Sequence, residues 1–144
     1  TWFIAGDGPA RSDVEMALGQ HDTVFLGALS AREVEILHAA ADLVAWPASR
    51  EAFGMALLEA QAAGVPVVAG ASPGVAQIVA DGETGLLTPT GDDMMLASAM
   101  RRLVEDQTLR ERMGLAAMKK AERLHDIDVA TRQIDRILRE AIAE

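Results

Sequence analysis

The chain has no cysteine among its 144 residues, no tyrosine, and only 3% aromatic residues. Without cysteine it can form neither disulfide bonds nor thiolate metal sites. Basic residues are also scarce, 13 against 22 acidic ones, and the formal net charge of −9 disfavours nucleic acid and anionic lipid as partners. No apolar run approaches the roughly 20 residues that span a bilayer. No signal peptide with a basic first region is evident, so we expect a cytoplasmic location.

Aliphatic residues, in contrast, are abundant, since half of the chain is hydrophobic. This composition predicts one domain over residues 1–144, built from helices packed on a buried sheet. The first residues, TWFIAGDGP, have the pattern of a strand and no initiator methionine. We therefore expect the chain to be a piece of a longer protein.

Strand-like and helix-like segments alternate along the first part of the chain. Strands are predicted at residues 2–5, 23–26, 43–46, 65–69 and 85–87. Helices are predicted at 12–18 with Ser12 as N-cap, from Ser30 through Ala41, from about 54 to near 64, and at 75–80. The helix from Ser30 begins with a capping box that pairs Ser30 with Glu33. Residues 92–144 carry only helical patterns, at 92–105, 109–124 and 129–142. This order predicts an α/β fold with a Rossmann-like parallel sheet, helices on both faces and C-terminal helices.

Two glutamates, Glu51 and Glu59, stand eight positions apart in SREAFGMALLEAQAAGVPVVAG, residues 49–70. In one helix they would be ~12 Å apart, too far to share a proton or a metal but suited to two ends of an extended ligand. Between them, the backbone N–H groups at the helix start near residues 54–56 favour an anion. This order matches a nucleotide-diphosphate sugar, whose ribose diol would bind Glu59 and whose sugar hydroxyls would bind Glu51.

Residues 42–91 resemble the donor-binding half of glycosyltransferase family 4, retaining enzymes of the GT-B fold with two Rossmann-like domains and a cleft between them. The family motif is Glu, seven residues, then Glu, with Phe-Gly just after the first acid. It stands here as Glu51, Phe53-Gly54 and Glu59. The segments GDGP, VFLGALS and DGETGLL also fit in order and spacing, and the resemblance covers residues 1 to about 110 well.

The resemblance implies sugar transfer with retention, without a metal, from a donor such as a UDP- or GDP-sugar. Glu51 would be the catalytic residue that orients the sugar and stabilises charge, and Glu59 would hold the ribose hydroxyls. The backbone of Phe53, Gly54, Met55 and Ala56 would touch the sugar and diphosphate. The residues implied near the base and phosphates are Gly6, Gly8, Phe25, Leu26 and Gly27.

The sequence departs from the family pattern in three ways. Ser72-Pro73-Gly74 stands where the family has a Gly-Gly turn, and Gln77 replaces the acid that often follows. The resemblance also leads us to expect that the first strand and helix of this half, their basic diphosphate clamp and the acceptor domain are missing from these residues. We therefore expect the fragment to be inactive alone, and the acceptor (a sugar, lipid or small molecule) to bind the missing domain. The truncated sheet edge could pair two copies.

Two other function classes stay open at this point: a GT-B-like hexosamine epimerase or phosphorylase half, and a non-catalytic Rossmann-like interaction module.

Several other polar residues have simpler structural interpretations. Arg50 fits a solvated arginine better than a phosphate contact, and Asp7 fits a turn. Ser72 fits a phosphate contact or a helix-leading turn. The three histidines lack metal-ligand spacing, and His38 is predicted to be a packing residue. The full-length protein would be a bacterial enzyme of the cytoplasm, with the inner-membrane surface as a second location.

Overall fold

The computed structural model describes residues 1–19, 21–47 and 51–143, apart from the side chain of residue 143. The chain divides into two compact units, Thr1–Leu37 and the part from His38 onward. Strands and helices alternate in both, and every described strand pair is parallel. The predicted α/β class with parallel sheets and helices is confirmed. The described strands form two sheets, however, not the single sheet predicted.

The first unit contains β1 (Trp2–Ala5), α1 (Arg11–Leu18), β2 (Thr23–Gly27) and most of α2 (Ala31–Ala40). β1 and β2 form a two-stranded sheet. The predicted N-cap Ser12 is wrong, because the amide of Arg11 already donates to Gly8 at 3.1 Å and the helix begins at Arg11.

The capping box at the start of α2 is confirmed. Glu33 Oε2 accepts from the Ser30 hydroxyl at 2.6 Å and from its amide at 2.7 Å. These two bonds lower the pKa of Glu33. In return, the amide of Glu33 donates to the Ser30 hydroxyl at 3.4 Å.

The second unit contains a parallel sheet in the order β3-β4-β5. Its elements are β3 (Val44–Trp46), α3 (Met55–Ala62), β4 (Val67–Gly70), α4 (Pro73–Ile78), β5 (Gly85–Thr88), α5 (Asp93–Glu105), α6 (Gln107–His125) and α7 (Ile127–Ala143). The last three confirm the predicted C-terminal helices. That residues 1–144 form one domain stays a prediction.

The buried side chains of β4 alternate between two hydrophobic clusters. Val67 and Ala69 pack with Leu57 of α3 and Ile78 of α4 in one cluster, whereas Val68 packs in the other. The second cluster is completed by Leu86, Leu103, Leu109 and Met113, from β5, α5 and α6. Because successive strand residues face opposite sides, β4 has helices on both of its faces, as predicted.

Among the residues that the structure describes, no helix has both the length and the apolar character needed to cross a bilayer.

Candidate functional site

Gly54 turns the chain into α3. Its backbone has φ 87° and ψ 52°, in the left-handed region that disfavours side chains. A Cβ there would also stand 3.2 Å from the Cδ1 atom of Leu57, which is fully buried. The amides of Leu57 and Leu58 donate to the Gly54 carbonyl at 2.9 and 3.2 Å and begin the helix. The glycine of the Phe-Gly pair therefore has a local role: it directs the amino end of α3.

The carboxylate of Glu51 lies at this amino end. Its Oε1 atom accepts hydrogen bonds from the backbone amides of Gly54 at 3.0 Å and Phe53 at 3.4 Å. The helix dipole and the unpaired first-turn amides stabilise a negative charge at this place. Two of the residues whose backbone is predicted to contact the donor thus donate their amides to the protein's own carboxylate in this structure.

Glu59 is an exposed residue in the second turn of α3. Its charge acts on His38, which is only 8% exposed. Burial lowers the pKa of His38, and Glu59 partly opposes that shift. Between the two glutamates, Phe53 and Met55 are exposed apolar residues. The start of α3 therefore presents two acids and two apolar side chains close together in sequence.

Ser72 is held by the loop that carries Glu51. Its hydroxyl donates to the main-chain carbonyl of Glu51 at 3.1 Å, and the residue is 8% exposed. Of the two interpretations that the sequence leaves open for Ser72, the structure supports a contact within the protein just before α4. This bond joins segments 21 residues apart, so local sequence patterns give no signal for it.

In the first unit, the predicted contact residues lie at the carboxyl ends of β1 and β2. The amide of Gly6 donates to the carbonyl of Gly27 at 2.7 Å, so the structure brings these two glycines together. Asp7 accepts from the amide of Gly8 at 2.8 Å, as predicted for a turn residue. The other predicted contacts here are Phe25 and Leu26, which lie in β2 and are partly buried.

The sequence analysis missed Arg11, which lies beside these residues. Its guanidinium stands 5.6 Å from the centroid of the Phe25 ring. It also donates to Glu15 at 2.8 Å, and this hydrogen bond raises the pKa of Arg11. One signal was present in the sequence: Arg11 is the only lysine or arginine in the first 30 residues.

Two further predictions concern histidine and arginine. His38 is buried, which confirms it as a packing residue. Arg50 lies outside the described residues. Within the described ranges, no three histidine, aspartate or glutamate side chains are grouped closely enough to hold a metal ion. That the site needs no metal stays a prediction.

Comparison with known families shows the family of the chain. The family model for glycosyl transferases group 1 matches residues 2–120, a segment that contains both glutamates and all the predicted donor contacts. The chain belongs to this glycosyltransferase family. Its membership gives the Glu51 and Glu59 pair a context that the spacing of two acids alone could not provide.

The relatives of this glycosyltransferase chain are much longer than the chain itself. It is 42% identical over 120 residues to the D-inositol 3-phosphate glycosyltransferase of Nocardioides sp., covering 83% of this chain and 26% of the relative. It is 34% identical over 143 residues to the alpha-D-kanosaminyltransferase of Streptomyces kanamyceticus, covering 96% of this chain and 37% of the relative. The chain thus spans between about a quarter and two fifths of these relatives.

A solved structure supports the fold of this group 1 glycosyltransferase chain. Anabaena Alr3699/HepE, crystallised in complex with UDP and glucose, matches with a TM-score of 0.82 at 28% identity, covering 96% of this chain and 40% of that chain. The predicted relation to the GT-B fold is confirmed.

Proposed function

We propose that this chain binds the nucleotide-diphosphate sugar donor of a retaining glycosyltransferase of family 4. The geometry that supports this function is the placement of the Glu51 carboxylate at the amino end of α3, with Glu59 exposed one turn further along the helix. The crystal structure of a similar protein, Anabaena Alr3699/HepE, contains UDP and glucose. The family match adds sugar transfer as the reaction class.

In this proposal the two acids bind different parts of the donor. Glu59, on the rigid helix, accepts from the ribose hydroxyls, and Glu51 accepts from hydroxyls of the transferred sugar. Because Oε1 of Glu51 is engaged by the amides of Gly54 and Phe53, Oε2 is the oxygen directed to the sugar. The first-turn amides of Met55 and Ala56 face the diphosphate and offset part of its charge.

The hydrogen bonds to Glu51 also bear on the stereochemistry. A carboxylate oxygen whose lone pairs already accept from two amides is a poorer nucleophile. This favours a role in orienting the sugar and stabilising positive charge at its anomeric carbon, with front-face transfer and retention. Anomeric NMR signals of the product, from a longer polypeptide that adds the acceptor domain, test this; an inverted product contradicts it.

Donor binding is tested by NMR titration of UDP and GDP into the chain. We expect weak binding, near the millimolar range or about −4 kcal/mol, because the net charge of −9 repels the nucleotide. Glu59→Ala should weaken binding by about 1–3 kcal/mol, since the ribose loses its acceptor. The matched control is Glu122→Ala, an exposed glutamate of α6.

The outcomes of this titration are distinct. An affinity that Glu59→Ala leaves unchanged contradicts the proposal. An equal loss in the Glu122→Ala control also contradicts it, because removing a distant negative charge should, if anything, reduce the repulsion of the nucleotide. Repeating the titration with EDTA and then with Mg²⁺ tests the metal-independence of binding, for which equal affinities are expected. In the first unit, the proposed nucleotide contacts remain the residues at the carboxyl ends of β1 and β2: Gly6, Gly8, Phe25, Leu26 and Gly27.

A further inference from the structure

The loop that carries Glu51 rests on the start of α4. The hydroxyl of Ser72, the residue before the helix, donates to the carbonyl of Glu51 at 3.1 Å, and Ser72 is 8% exposed. A nearly buried hydroxyl with a main-chain acceptor is costly to remove, because the carbonyl then loses its partner. Ser72 therefore fixes the peptide group of Glu51 relative to α4.

Gly74 makes the second contact between α4 and this loop. A Cβ at position 74 would stand 2.0 Å from the Ala52 carbonyl oxygen and 2.8 Å from the Phe53 amide nitrogen. Both are main-chain atoms, so no side-chain rotation could relieve the overlap. Any residue other than glycine would move the loop away from the helix.

α4 is itself firmly attached to the rest of its unit. Val75 and Ile78 are fully buried and share a cluster with Leu57 of α3. At the far end of the helix, Lys120 Nζ donates to the carbonyl of Ile78 at 2.6 Å and to that of Gln77 at 3.3 Å. The helix is thus a fixed support for the loop.

We infer that Ser72 and Gly74 are positioning residues for the carboxylate of Glu51, an inference that rests on the proposed role of Glu51 at the transferred sugar. They set the main chain from which Oε1 reaches the Gly54 amide at 3.0 Å. Each residue of Ser72-Pro73-Gly74 has a physical role at this place. The serine supplies a hydrogen bond that glycine cannot make, and Pro73 occupies the first helical position, where no amide donor is needed.

Amide exchange tests the positioning without any ligand. In the 144-residue chain, Ser72→Ala should speed hydrogen exchange of the Gly54 amide about fivefold, the equivalent of one net hydrogen bond. Ser72→Thr keeps a hydroxyl and should restore slow exchange, whereas Ser98→Ala, on an exposed part of α5, should change nothing. If Ser72→Ala folds and the Gly54 amide exchanges as in the wild type, the inference is overturned. The same holds if exchange quickens equally throughout the unit.

A second readout separates this inference from the proposed function. The gain in affinity of UDP-glucose over UDP measures the contact with the sugar, and Glu51→Gln should abolish that gain. Ser72→Ala should reduce it several-fold while UDP binds as before, and the double variant should lose no more than Glu51→Gln alone. If Glu51→Gln changes nothing, the proposed function fails. If Glu51→Gln removes the gain but Ser72→Ala keeps it, the positioning inference alone fails.

Discussion

The side-chain amide of Gln61 donates a hydrogen bond of 3.0 Å to the hydroxyl of Thr84, and both side chains are buried. The same hydroxyl accepts from the amide of Ala80 at 2.9 Å. Gln61 lies two residues after Glu59 on α3, so this bond attaches the helix of the proposed ribose contact to the turn before β5. Buried polar groups are stabilising only when they are paired in this way.

Thr84→Val should destabilise the chain by about 1–3 kcal/mol, because it leaves the Gln61 amide and the Ala80 N–H without their acceptor. Urea unfolding measures the loss. Thr90→Val, at an exposed position, is the control and should change little. Adding Gln61→Leu to Thr84→Val should recover part of the loss, and fully additive losses would contradict the pairing.

Gly114→Ala separates helix propensity from packing. Propensity alone predicts a gain of roughly 1 kcal/mol, since Gly114 lies inside α6. A Cβ there would stand 2.1 Å from the carbonyl oxygen of Gly64, however, so α6 would have to move. We expect a net loss of about 1–3 kcal/mol from overpacking. A raised thermal midpoint would show that the contact is looser than described.

His38 should make stability depend on pH. Burial places its folded pKa below the ordinary value of 6.5, with Glu59 opposing the shift only in part. Since the unfolded chain then binds the proton more readily, the stabilisation is fully present above pH 6.5 and is lost as the pH falls through the folded pKa. Urea midpoints at about pH 7.5 and 5.5 should therefore fall more in the wild type than in His38→Gln. Equal falls would contradict this assignment.

Features set by neighbouring residues were predictable from the sequence. Alternating apolar runs gave the parallel strands and their helices, and Ser30 with Glu33 gave the start of α2. The prediction that Ser12 is the N-cap was wrong because a turn from Gly8 starts α1 at Arg11, one residue before this serine. Several residue types can serve as caps, and the preceding backbone decides among them.

Contacts between residues far apart in the chain could not be predicted from the sequence. The bond from Ser72 to Glu51 and that from Gln61 to Thr84 span 21 and 23 residues. Periodicity and capping rules concern close neighbours, and these bonds arise only after the strands pair. The DGETGLL segment shows the consequence. Thr84 and Gly85 are buried in the fold, and a Cβ at Gly85 would stand 2.2 Å from the Val67 carbonyl, so packing accounts for these two residues.

The division of the donor between two acids is tested by titrating UDP and UDP-glucose into chains carrying Glu59→Gln or Glu51→Gln. Both variants remove one charge, so their effects on long-range repulsion are matched. We predict that Glu59→Gln weakens both ligands by the same factor, because both contain the ribose. Glu51→Gln should weaken UDP-glucose and leave UDP unchanged. If the two variants behave alike, or if neither alters binding, Glu51 and Glu59 do not hold opposite ends of a nucleotide sugar.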